Sequence, residues 1–172
     1  MKKYLLAISL CLFLFCMSCN NPAGDTKTGD NKMSEQAEKN LAASHIISDA
    51  FGSGDISKID SAVASDFVDH TDRGDMGRDS LKAMIKMVNA TNKDMKMEII
   101  KELADNDYVF SLMRFTGTSD GSMMPAGPYD MQALQVVKFK DGKAVEHWEY
   151  MEPREMMKMM PPQPAMDTTK KK

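Results

Sequence analysis

Apolar positions recur at helical spacing in the first part of the chain and at alternate positions in the second. Ala43, Ile46, Ile47, Ala50 and Phe51 form one stripe, which predicts a helix from a cap at Ser34 to about Phe51. Gly52-Ser53-Gly54-Asp55 stops it, and a second helix is expected over about Ile56 to Ala64. Phe67-Val68-Asp69-His70 reads as a short extended piece. Leu81, Met84, Ile85 and Val88 share one face of a third helix, from about Arg78 to Asn89. The period then becomes two. Met95, Met97, Ile99 and Leu103 alternate with Lys96, Glu98 and Glu102, predicting a strand with one solvated face. Tyr108 to Thr116 and Tyr129 to Phe139 are the next strands. Asp141-Gly142 supplies positive φ for a two-residue turn, and Ala144 to Met151 returns. Helices first and an antiparallel run afterwards define an α+β domain, with N-terminal helices packed on one face of a curved antiparallel sheet.

The ends of the chain read differently. Lys2 and Lys3 precede an apolar run from Leu5 to Phe15, then Cys16-Met17-Ser18-Cys19. A basic start, a short apolar stretch and a small residue before the cut describe an export signal over 1–19. The stretch is too short for a bilayer, which needs about 20 residues. Ser18-Cys19 resembles the end of a bacterial lipobox, which would make Cys19 a lipid-carrying N-terminus and place the protein at the cell envelope. Residues 20–33 are expected to be a flexible tether, 34–157 the folded domain, and 158–172 a disordered tail rich in Met, Pro and Lys.

Composition narrows the function. The 172 residues are 42% apolar and 27% charged, as in a globular chain. A formal charge of −3 argues against nucleic acid as a partner. All three cysteines lie in the signal, so the expected mature domain has no disulfide and no cysteine nucleophile. Eighteen methionines, clustered at Met123-Met124, Met131, Met156-Met157-Lys158-Met159-Met160 and Met166, raise Cu(I) binding as an alternative. A general use of flexible thioethers in the core is the simpler account.

The ordered motifs carry a resemblance. Gly54-Asp55 with Phe67-Val68-Asp69-His70, then Arg114 with Thr116-Gly117-Thr118 and Gly121, then Phe139-Lys140-Asp141-Gly142-Lys143-Ala144-Val145-Glu146-His147-Trp148 follow one another in order. They resemble the "GD … dfv.H", "R.tG…G" and "f.dGkivEhW" stretches of the SnoaL-like (polyketide cyclase-like) family. That family belongs to the nuclear transport factor 2-like superfamily. The resemblance implies a cone-shaped fold with a largely apolar pocket between sheet and helices. It also implies acid–base work with no metal or organic cofactor, a small apolar carbonyl compound as ligand, and a homodimer through the outer sheet face.

Candidate residues follow from the same alignment of motifs. His70 matches the family's pocket histidine and can shuttle a proton near neutral pH; bonding to nearby backbone is the alternative. Glu152 stands where the family often has Asp. Arg114 would hold an enolate, or pair with a neighbouring carboxylate such as Glu146. Gln135 can donate a hydrogen bond in the pocket or across the sheet. His45 lies beside the apolar stripe and is expected in solvent. On the last strand, Glu146, Trp148, Tyr150 and Glu152 share one parity and Val145, His147, Glu149 and Met151 the other. If the even face lines the cone, Trp148 is its floor and Glu146 and Glu152 its acids; the parity leaves His147 as the alternative ligand contact. The leading expectation is a small-molecule-binding domain without catalysis; the alternative is a cofactor-free cyclase or isomerase, with proton abstraction next to a carbonyl by Glu152 or His70 and Arg114 on the enolate.

Overall fold

The computed structural model describes residues 32–160. The expected signal, Cys19 and nearly all of the tether lie outside them, as does the tail beyond residue 160.

Helix α1 (Glu35–Ser53) starts where the Ser34 side chain accepts the Ala37 N–H at 3.1 Å. It ends at Gly54, whose φ of 76° is the left-handed conformation that glycine adopts without strain. Helix α2 (Ile59–Ala62) is shorter than its apolar pattern suggests. The chain leaves it at Val63 to enter β1 (Val63–Thr71), a nine-residue strand in place of the expected four-residue piece. The cause is distant: fully buried Val63 pairs with Ala144, 81 residues on. A short hairpin strand, β2 (Gly74–Met76), pairs back on β1 and had no signal in the sequence. Helix α3 (Arg78–Thr91) buries Leu81 and Ile85, as its stripe predicts. Strands β3 (Asn92–Ala104), β4 (Tyr108–Ser119), β5 (Gly127–Lys140) and β6 (Lys143–Tyr150) follow. Asp141 and Gly142 take φ of 52° and 74° in the β5–β6 turn. A last helix, α4 (Pro153–Lys158), closes the described chain.

The sheet order is β2-β1-β6-β5-β4-β3. All pairs are antiparallel except β1 with β6, which corrects the expectation of a wholly antiparallel sheet. The four later strands meander back to the first, and the last arrives running in its direction. Helices α1 and α3 cover one face, where Ala43, Ala50, Leu81 and Ile85 meet Phe67, Val109, Val137, Phe139 and Ala144. This is the inner face. The register shifts at four places, two of which set the facing of the site. Between Lys138 and Phe139, β5 advances one residue while β6 spans two, so Val145 is extra. Ile100 is the corresponding extra residue in β3.

Where β6 stops, α4 supplies substitutes for the missing strand. Glu155 accepts the Gln132 N–H at 3.1 Å and Lys158 donates to the Asp130 carbonyl at 2.8 Å. Burial alone would raise Glu155, but the hydrogen bond from Lys158 holds its carboxyl below the usual range.

Candidate functional site

The Val145 bulge decides which residues meet the helices. Ala144 is opposite Phe139, and His147 is opposite Val137, both on the inner face. Ala144 and His147 differ in parity, yet the extra residue between them puts them on one side. Glu149 follows His147, opposite Gln135. On β1, Asp69 is next to His147 and shares the inner face with Phe67.

A chain of hydrogen bonds joins these four side chains. Asp69 Oδ1 lies 2.7 Å from His147 Nδ1, and Gln135 Oε1 lies 2.6 Å from His147 Nε2. Gln135 Nε2 donates to Glu149 Oε2 at 2.7 Å. Because the Gln135 amide spends its N–H on Glu149, it turns its oxygen to the imidazole. Each ring nitrogen therefore faces an oxygen that accepts, and the ring fills both bonds when both nitrogens carry hydrogen. Asp69 is buried, with 7% of its side chain exposed, and His147 is about a fifth exposed. The network thus begins in the core and ends in solvent at Glu149.

A second polar group lies on the same face. Ser111 donates to Glu102 Oε1 at 2.7 Å, and His45 Nε2 lies 2.8 Å from Glu102 Oε2. His45 is exposed, as expected, and pairs with Glu102.

The outer face holds the other predicted residues. His70 stacks on Trp148, with ring centroids 4.8 Å apart. Its nitrogens lie 2.9 Å from Asp75 and 3.2 Å from Glu146. Lys138 reaches Glu146 at 2.6 Å and, ahead of His70, holds that carboxyl below its usual range. Arg114 forms two parallel bonds to Asp130, at 2.9 and 2.7 Å. Its neighbouring-strand partner is therefore Asp130, not Glu146. That pair holds Asp130 low and raises the guanidinium further. Glu152 is past the end of β6, exposed and paired with Arg154 at 2.7 Å. So the structure brings Gln135 and His147 together inside. It places His70, Glu146, Trp148 and Arg114 on the opposite face, and Glu152 on neither.

Asp69, Glu149 and the Glu102–Ser111 pair were not singled out from the sequence. One signal for Asp69 was available: it has the parity of Phe67, an apolar residue bound to face the core. The methionine reading gains no support. Met131 is buried within β5, whereas Met156 and Met157 are exposed on α4.

Asp75 first, and Glu146 second, raise His70 above its ordinary 6.5. A group raised in the folded state contributes stability that is complete below the unfolded value and is lost as pH rises through the folded one. Wild-type melting temperature is therefore expected to decline as pH rises above 6.5. In His70→Gln that decline should be smaller, as read by thermal melts across the range.

A curved open sheet with helices on its inner face and acid–base side chains beneath them defines the cone-shaped class of nuclear transport factor 2-like folds. Residues 42–159 match the model of the SnoaL-like polyketide cyclase family, and the chain belongs to that family. Among solved structures, AclR of Streptomyces galilaeus is similar at 22% identity and a TM-score of 0.59, covering 70% of this chain and 94% of that one. IdmH of Streptomyces antibioticus is similar at 22% identity and 0.57, over 72% and 96%. An LEH-like epoxide hydrolase of M. tuberculosis is similar at 14% and 0.59, over 72% and 90%. No curated protein matches the sequence.

Proposed function

We propose that the inner face binds a small apolar carbonyl compound and moves a proton next to its carbonyl, as a cyclase or isomerase that needs no cofactor. The observation that carries this is the Asp69–His147–Gln135 chain, half-buried on the inner face with bonds of 2.7 and 2.6 Å. The Gln135 oxygen stands where a ligand's carbonyl oxygen would sit. A carbonyl that displaces it takes the His147 Nε2–H bond. Asp69, with one oxygen on His147 Nδ1, has a second oxygen to accept the proton from the adjacent carbon. The C–H electron pair then forms the enol double bond, and the carbonyl pair moves to oxygen, held by His147. These roles replace those expected for Glu152, His70 and Arg114, which lie elsewhere. IdmH, a candidate polyketide cyclase, shares the fold and supports the reaction class by analogy alone.

The test is deuterium exchange at the carbon between the carbonyls of an aromatic 1,3-diketone, followed by proton NMR. Exchange well above the buffer rate is expected. Exchange at the buffer rate, with the diketone bound, would leave a binding domain without catalysis.

We also propose that the chain is exported and held at the envelope by lipid on Cys19, which the lipobox-like Ser18-Cys19 supports. Intact mass of membrane-extracted protein should show a chain starting at Cys19 with acyl additions. Cys19→Ala should show neither. Assembly as a homodimer through the outer face is supported by the exposure of Leu103, Phe110 and Tyr150, and sedimentation velocity reads it directly.

A further inference from the structure

The inner-face polar groups form a row. Glu102 on β3 is opposite Ser111 on β4, Ser111 is opposite Gln135 on β5, and Gln135 is opposite Glu149 on β6. Strands lie about 4.8 Å apart, so the row spans about 14 Å. Buried apolar residues flank it along the strands: Val109 and Val137 on one side, Met113 and Ala133 on the other. A carboxylate–histidine pair stands towards each end, His45–Glu102 and Asp69–His147.

Two properties of the row select a ligand. The first is its hydrogen-bonding capacity. The imidazole of His147, the Ser111 hydroxyl and one Gln135 N–H are already spent on neighbours, whereas each carboxylate oxygen keeps a lone pair beyond its present bond. A ligand whose carbonyl displaces the Gln135 oxygen from His147 meets mainly acceptors along the rest of the row, and must therefore bring donors to them. The second is charge. Asp69, Glu102 and Glu149 are acids on this face, while Lys138 and Arg114 are engaged with Glu146 and Asp130 on the other. An anionic ligand would bring like charge against these acids in a partly water-excluded place.

We infer that the inner row selects an elongated, uncharged ligand with a hydroxyl donor at each end, and rejects an anion of the same shape. This rests on the inner-face site proposed above and names its substrate class. Anthracene-2,6-diol and anthracene-2,6-dicarboxylate are matched fluorescent probes for titration of the full-length protein at pH 7. The diol is expected to bind saturably and the dicarboxylate at least about tenfold more weakly in low salt. The gap should narrow between about 0.02 and about 0.5 M salt, because screening shortens the reach of the carboxylates. In Glu102→Gln/Glu149→Gln it should close to within about threefold, since the amides keep the shape and remove the charge.

The outcomes separate the two claims. If His147→Gln weakens diol binding but the dicarboxylate binds wild type as tightly as the diol, the site stands and charge selection is overturned. A gap that persists both at high salt and in the double variant overturns it too. If neither probe binds, or if diol binding is indifferent to His147→Gln and Asp69→Asn, the inner-face site fails and the inference with it.

Discussion

Asp69→Asn is expected to slow diketone exchange by about 10²- to 10⁴-fold, the usual contribution of a positioned general base. The amide can still accept the Nδ1–H of His147 through its oxygen, so the 2.7 Å contact need not be lost. What disappears is the negative charge and the ability to take a proton. The melting temperature should therefore change little, while turnover falls. Asp69 sits buried beside Phe67, so a substitution that removes the acceptor altogether would confound folding with chemistry. Exchange rates of wild type and Asp69→Asn, measured beside their melting temperatures, separate the two. Unchanged exchange in the folded variant would remove Asp69 from the mechanism.

Phe139→Ala is expected to lower folding stability by about 3–5 kcal/mol. Phe139 is 3% exposed and faces fully buried Ala144 across the β5–β6 ladder. A small residue opposite a large one means that the ring fills space no neighbour can reclaim. Its backbone N–H donates to the Asp107 carbonyl at 2.7 Å, which pins the strand and limits collapse into the cavity. Against a typical total of about 5–15 kcal/mol, the loss brings the domain close to its threshold. Urea unfolding should show a lower midpoint with an unchanged slope. A loss below about 1 kcal/mol would mean that the site repacks.

Much of this fold is legible because its determinants are local. The Ser34 cap, the Leu81–Ile85 stripe and the Asp141-Gly142 turn all act within a few residues, and each forms as its pattern predicts. In β3 the strand forms, but the Ile100 bulge breaks the expected alternation, turning Leu103 outward and Glu102 onto the inner face. The misread residues are Val63 and Ala64, which the helical pattern takes in but which are drawn into β1 by a strand far along the chain. No window of sequence contains that partner.

The site was legible in membership more than in arrangement. Gln135 and His147 could be named, and a histidine after Phe67-Val68-Asp69 could be expected to matter. In a strand, however, neighbours point to opposite faces, so Asp69 and His70 serve different sides of the sheet. The last strand hides its facing further, because simple alternation from Ala144 would put Trp148, not His147, among the helices.

Val145 therefore acts as a phase marker for everything downstream of it in β6. The bulge lets β6 carry one residue more than β5 while the same side chains keep facing the interior. Deleting that one residue would leave a regular ladder in which Glu146 follows Ala144 directly, with His147 and Glu149 still facing the helices and Glu146 and Trp148 still facing outward. Descendants of this chain could shed Val145 and keep both faces, whereas a residue gained or lost further along β6, with the bulge retained, would exchange their contents beyond that point in a single event.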